Sequence, residues 1–162
     1  MGSDKSRAKI GRRTMLSLAA AAAKEAGLRV RVVRRDSVPR CGPMGGVVTA
    51  LRRSRAEVVV FLSCDMPFVR PALLRRVAAA VRGKALAAFV EISGTAGFPF
   101  AMRRAALGFA EELILRGEFS LQALARVTLS RRLRPGAAFH RALMNVNTRS
   151  DLLRARKRAV SR

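Results

Sequence analysis

Glu57-Val58-Val59-Val60-Phe61-Leu62-Ser63-Cys64-Asp65-Met66-Pro67 is the stretch on which the reading of the fold turns. Its apolar part is continuous rather than alternating, the pattern of a strand covered on both faces, as in a parallel sheet with helices above and below. Two small residues and a carboxylate follow, and Met66-Pro67 turns the chain away. Outward from this strand, helical and strand-like segments alternate. Upstream, residues 14–26 read as a helix stopped by Gly27, and residues 28–34 as a strand through Val30, Val32 and Val33. Gly42-Pro43-Met44-Gly45-Gly46 reads as a tight turn opening a short helix. Downstream, Pro71 starts a helix with Leu73, Leu74, Val77 and Val81 on one face. Residues 86–92 and 97–102 read as strands, 103–116 as a helix, and 127–133 and 143–146 as the last strands. Thr148, with Asp151 three residues on, forms a capping box for a final helix. The expected class is α/β with a mainly parallel sheet.

Composition narrows the function classes. The chain has 162 residues, 33 Lys+Arg against 10 Asp+Glu, and a formal net charge of +23. That length suits one domain, residues 1–162, able to bury roughly 68–70% of its unfolded surface. Half of the residues are hydrophobic, which argues against disorder. Cys41 and Cys64 make neither a disulfide framework nor a zinc spacing. No apolar run reaches the roughly 18 residues of a membrane span, so no membrane partner is expected. Lys5, Arg7, Lys9, Arg12 and Arg13 imitate the start of an export signal, but the alanine-rich segment after them runs on into Lys24-Glu25 as an amphipathic helix. A cytoplasmic monomer is the expectation. The charge makes nucleic acid the first partner to test. Against it, 28 of the basic residues are arginine and 5 lysine, spread along the chain, with no Trp or Tyr to stack bases. Specific nucleic-acid binding is therefore not expected, although a basic nucleic-acid-binding domain remains the rival from another class.

Four features carry possible chemistry. Ligands of open parallel sheets lie beyond the carboxyl ends of the strands, which singles out Asp65. A hard cation such as Mg²⁺ takes one or two carboxylates together with phosphate oxygens. Asp65 is therefore either a metal ligand in a nucleotide site or a cap for the helix at Pro71. The Gly42–Gly46 segment, without Cβ atoms at three positions, lets backbone approach a base or phosphate, or simply makes a turn. In Asn145-Val146-Asn147-Thr148, alternation sends both asparagines to one side, where each can donate and accept, unless one serves a turn and Thr148 a cap. Lys5 is a point charge suited to a polyphosphate, one of many basic residues. His140 has no acidic or cysteine neighbour at useful spacing and reads as a surface residue.

The order of these motifs is more specific than any one of them. Met1-Gly2-Ser3-Asp4-Lys5, Asp36-Ser37, Gly42-Pro43-Met44-Gly45-Gly46, Ser63-Cys64-Asp65-Met66-Pro67 and Asn145-Val146-Asn147-Thr148 follow one another along the chain. In this the chain resembles the molybdenum cofactor guanylyltransferases, the molybdopterin-guanine dinucleotide biosynthesis protein A family of the nucleotidyltransferase superfamily. The resemblance implies a Rossmann-like three-layer α/β/α fold with a mainly parallel sheet. It implies transfer of GMP from GTP to the terminal phosphate of molybdenum-bound molybdopterin, with release of pyrophosphate and dependence on Mg²⁺. By the same resemblance Lys5 contacts the nucleotide phosphates and, with Asp65, is catalytic. Asp36, Gly42, Pro43, Gly45 and Gly46 address guanosine, Asp65 holds Mg²⁺, and Asn145 and Asn147 face molybdopterin. In-line transfer at phosphorus needs positioning and charge neutralisation rather than a covalent nucleophile, in keeping with the lack of a candidate triad. Family members open on a buried strand and a Leu-x-Gly-Gly-x-Ser-x-Arg loop directly before Met-Gly-x-Asp-Lys. The first strand and the Gly-rich phosphate loop are thus expected to be missing from this sequence, with a true start upstream of Met1. An inactive remnant, or a nucleotidyltransferase acting on another phosphorylated acceptor, is the alternative within this reading.

Overall fold

The structure, a computed structural model, describes residues 8–160, which fall into two compact units. In chain order the main elements are β1 (Lys9–Ile10), β2 (Arg13–Thr14), α1 (Met15–Glu25), α2 (Gly42–Arg53), β3 (Val58–Phe61) and α3 (Pro71–Ala80). There follow β4 (Ala87–Ile92), β5 (Thr95–Arg103), α4 (Leu107–Leu115), α5 (Leu121–Val127), β6 (Ser130–Leu133), α6 (Ala137–His140) and α7 (Arg149–Val160).

One unit comprises residues 31–61 and 75–135 and carries a four-stranded sheet of order β3-β5-β4-β6. β5 is antiparallel to both β3 and β4, while β4 pairs parallel with β6. Thus β3, β4 and β6 run one way and β5 alone runs against them. The reversal follows from the Ser93-Gly94 turn, where both residues have positive φ, 50° and 77°. That is the backbone of a two-residue hairpin, for which a Ser-Gly pair is suited. Register places Phe100 opposite Phe61 on one side and Phe89 on the other. Their rings stack across the three strands with centroids 4.6 and 4.8 Å apart. Onto this apolar centre α2 lays Met44, Val47, Val48 and Leu51, all buried at the i, i+3, i+4, i+7 spacing of one helix face. Ala110 and Leu113 of α4 and Leu124 of α5 complete the same core. Beyond the end of β3, the Gln122 amide of α5 accepts from the Ala96 N–H at 3.1 Å and donates to the Ala96 carbonyl at 2.6 Å, continuing the ladder on β5.

The other unit gathers residues up to Val30, Leu62–Leu74 and the chain from Gly136. β1 and β2 form a short hairpin, after which the Thr14 hydroxyl caps α1 by accepting from the Ser17 N–H at 3.1 Å. Gly27, at φ 82°, ends that helix, as its position in the sequence predicts. Ile10, Met15, Val146 and Ala155 form a small core with Leu18, Phe68 and Leu152 against it. The Thr148–Asp151 capping box is present. The Asp151 N–H donates to Thr148 Oγ1 at 3.0 Å, and Asp151 Oδ2 accepts from the Thr148 N–H at 2.8 Å.

Three expected strands differ. Residues 28–34 form no strand, and Val30 and Val32 are 38% and 43% exposed. Alternating valines need a neighbouring ladder, and among the described residues no strand pairs with them. Residues 143–146 likewise form no strand but leave a 3₁₀ turn in extended backbone, with the Val146 N–H donating to the Asp65 carbonyl at 2.8 Å. The expected strand at 127–133 begins only at Ser130, because Ser120 caps a helix that runs through Val127. No helix among the described residues is long and apolar enough to cross a membrane.

Candidate functional site

The first cluster of chemistry-bearing residues is built on α2. Gly42–Gly46 is not a turn before the helix but its opening turns, with Pro43 where its missing N–H costs nothing. The glycine at 45 has a steric cause. A Cβ there would lie 2.5 Å from the Val38 carbonyl oxygen and 2.9 Å from Asp36 Oδ2, and at Gly46 it would lie 3.5 Å from Asp36 Oδ1. The loop carrying Asp36 therefore rests directly on the two glycines, and Asp36 itself is exposed. In a chain of net charge +23, this carboxylate has no ion-pair partner among the described residues. It sits over the early turns of a helix, where the macrodipole favours negative charge. Such a carboxylate offers both oxygens to hydroxyl or N–H donors of an approaching ligand.

The second cluster joins two segments distant in sequence. Asp65 stands in the turn beyond Phe61, and the Val146 N–H bonded to its carbonyl brings the Asn145–Asn147 segment to that turn. Val146 is buried while Asn145 and Asn147 on either side of it are exposed. The Asn147 N–H donates to Asp151 Oδ2 at 3.1 Å, tying the segment to the cap of α7. Four hydrogen bonds hold the Asp151 carboxyl well below the ordinary carboxylate range. The largest effect comes from the Thr148 side chain, followed by the Thr148 N–H, Arg154 and the Asn147 N–H.

Asp65 is partly buried. Its Oδ1 is buried and has no hydrogen-bond partner. At the start of α3 the Arg70 carbonyl accepts from the Leu73 and Leu74 N–H groups, the first bonds of the helix itself. Asp65 Oδ1 takes no helix N–H. A carboxylate oxygen withdrawn from water with nothing to satisfy it fits a hard cation. Among the described residues no group of three or more His, Cys, Asp or Glu could hold a metal. A cation here would take the rest of its oxygens from water or phosphate, which suits Mg²⁺. Lys5 lies outside the described residues. His140 is exposed, as expected. Sequence reasoning missed Thr49, whose buried hydroxyl meets the Asp36-Ser37 loop; its one local signal is the Gly45-x-x-x-Thr49 spacing that stacks the two on one helix face.

The MobA-like NTP transferase domain family matches residues 27–134, more than half of the chain. The chain belongs to that family. A molybdenum cofactor guanylyltransferase of Acinetobacter baumannii (strain ACICU) is 32% identical over 84 residues, 50% of this chain and 40% of that protein. The match therefore spans well under half the length of that relative. Molybdopterin-guanine dinucleotide biosynthesis protein A from Archaeoglobus fulgidus superposes with a TM-score of 0.75 at 16% identity, covering 99% of this chain and 93% of that one. The 2-C-methyl-D-erythritol 4-phosphate cytidylyltransferase of Thermus thermophilus gives 0.72 at 18% identity, with 98% and 95% covered. These likenesses show the α/β, Rossmann-like fold of the NTP transferase domain. Proteins named for guanine and for cytidylyl transfer share it, so base choice rests on local groups rather than on the fold.

Proposed function

We propose that the chain is a guanylyltransferase that transfers GMP from GTP to the terminal phosphate of molybdopterin. A phosphate oxygen of the acceptor attacks the α-phosphorus of GTP, a new P–O bond forms, the bond to the β-phosphate oxygen breaks, and pyrophosphate leaves with that electron pair. The observation that carries the reading is the buried, unpartnered Oδ1 of Asp65 in a chain of the MobA-like family. Asp65 holds Mg²⁺, which when bound supplies charge neutralisation at the phosphates. Asp36, resting on Gly45 and Gly46, accepts hydrogen bonds from guanosine at the start of α2, beside Gly42 and Pro43. Asn145 and Asn147 orient molybdopterin from one side of their segment, and Lys5 draws the triphosphate by charge. The protein acts as a single domain, a cytoplasmic monomer without membrane or specific nucleic-acid partners.

Asp65→Asn keeps the size and removes the charge. It is expected to lower Mg²⁺-dependent guanylyl transfer at least about a hundredfold while far-UV circular dichroism stays unchanged. Retained turnover removes Asp65 from the site. Binding to DNA that falls steeply with salt, without any guanine-nucleotide binding, would instead favour the basic-module reading.

A further inference from the structure

The geometry points to Thr49 as a positioning residue that aims Asp36, an inference that rests on the role proposed above for Asp36. Thr49 is fully buried, one of two buried polar side chains among the described residues. Its hydroxyl donates to the Gly45 carbonyl at 2.7 Å, the ordinary back-bond of a helical threonine. The rest is not ordinary. The same oxygen accepts from the Ser37 N–H at 2.7 Å and meets Ser37 Oγ at 2.9 Å. With its proton committed to Gly45, the Thr49 oxygen is the acceptor in both contacts with Ser37, and its one donor and two lone pairs are all used.

Ser37 follows Asp36 directly, and the carbonyl of the next residue, Val38, lies with Asp36 where a Gly45 Cβ would stand. The loop is therefore held at three successive residues. Asp36 rests on Gly45 and Gly46, Ser37 is bound by Thr49, and Val38 lies against Gly45. Nothing bonds the Asp36 carboxylate itself among the described residues, so its direction depends on the backbone beside it. That backbone is anchored to a buried side chain on a helix packed into the core, the most rigid support available to a loop. Thr49 touches no ligand. It acts through Ser37 on the carboxylate.

The test compares GTP affinity by titration calorimetry in the full chain and in four variants: Asp36→Asn, Thr49→Val, Thr49→Ser and the double variant Asp36→Asn/Thr49→Val. Asp36→Asn is expected to weaken GTP about tenfold, Thr49→Val by about three- to tenfold, and Thr49→Ser, which keeps the hydroxyl, by less than about twofold. In the double variant Thr49→Val is expected to add nothing, because its effect passes through Asp36. If Thr49→Val instead multiplies its full factor onto Asp36→Asn, it acts by general damage and the inference falls. If Asp36→Asn weakens GTP and Thr49→Val does not, the inference falls while the role of Asp36 stands. If Asp36→Asn binds GTP as the parent does, the proposed role of Asp36 fails and takes the inference with it. Should Thr49→Val not fold, Thr49→Cys keeps the volume with a weaker acceptor and carries the same outcomes.

Discussion

Gly45 shows how one residue type can serve a loop rather than a ligand. The Gly42–Gly46 segment invites the reading that its glycines expose backbone to a nucleotide. At Gly45 the space left by the absent Cβ is occupied by the chain itself, the Val38 carbonyl and Asp36. Gly45→Ala would force a carbon to 2.5 Å from a backbone oxygen, a separation that only movement of the loop can relieve. The substitution is expected to cost about 1–3 kcal/mol, read as a lower denaturant midpoint. An unchanged midpoint would show that the loop does not rest on α2. Asp65 teaches the complementary lesson. Its sequence position allows a cap or a ligand equally, and the feature that bears on the choice, a buried Oδ1 without a hydrogen-bond partner, depends on packing that no local pattern shows.

At the scale of elements, signals that act within a few residues are the ones legible in the sequence. Thr14 caps α1, Gly27 ends it, and the Thr148–Asp151 box opens α7 where the spacing says it should. The box carries a pH prediction. The Asp151 carboxyl is depressed below its unfolded value, so its contribution is present above the ordinary carboxylate pKa and is lost only as pH falls through the lower folded value. The opening turn of α7 is therefore expected to stay capped at about pH 4, where an unperturbed aspartate is near half-protonated. An NMR titration of the Asp151 carboxyl with a midpoint near the ordinary value would contradict this. Elements that depend on distant partners were not legible. Val30 and Val32 alternate like strand residues yet find no ladder, and Val127 sits in a helix capped seven residues upstream. The direction of β5 hung on two residues, Ser93 and Gly94, easily read as part of a longer connection. The Gly45-x-x-x-Thr49 spacing is too weak a signal to single out Thr49, because the partner that gives it meaning, Ser37, lies outside its helix.

For the whole molecule the dominant quantity is the net charge of +23. Exposed pairs such as Arg52–Glu111 at 2.7 Å and Arg126–Glu118 at 3.6 Å contribute little singly and weaken with salt. The excess positive charge has too few carboxylates to answer it, so self-repulsion outweighs them. Raising ionic strength from about 10 mM to about 150 mM cuts the screening length from about 30 to about 8 Å and is expected to raise Tm by a few degrees. A Tm that falls under the same change would mean that ion pairs, not repulsion, set the balance. Family and fold class were legible from motif order, whereas the apolar run at Val58–Phe61 forms the expected strand but is only partly buried at Val58, Val59 and Val60 and pairs antiparallel with β5. The reversal of β5 has one more consequence, which concerns chain entropy. Joining β4 to a parallel neighbour takes a crossover of about a dozen residues or more, each to be ordered and covered. Running β5 back along β4 closes the centre of the sheet with two residues, the shortest loop that two paired strands commonly use, and leaves only the flanking pairings of β3 and β6 to bear the entropy of long closures.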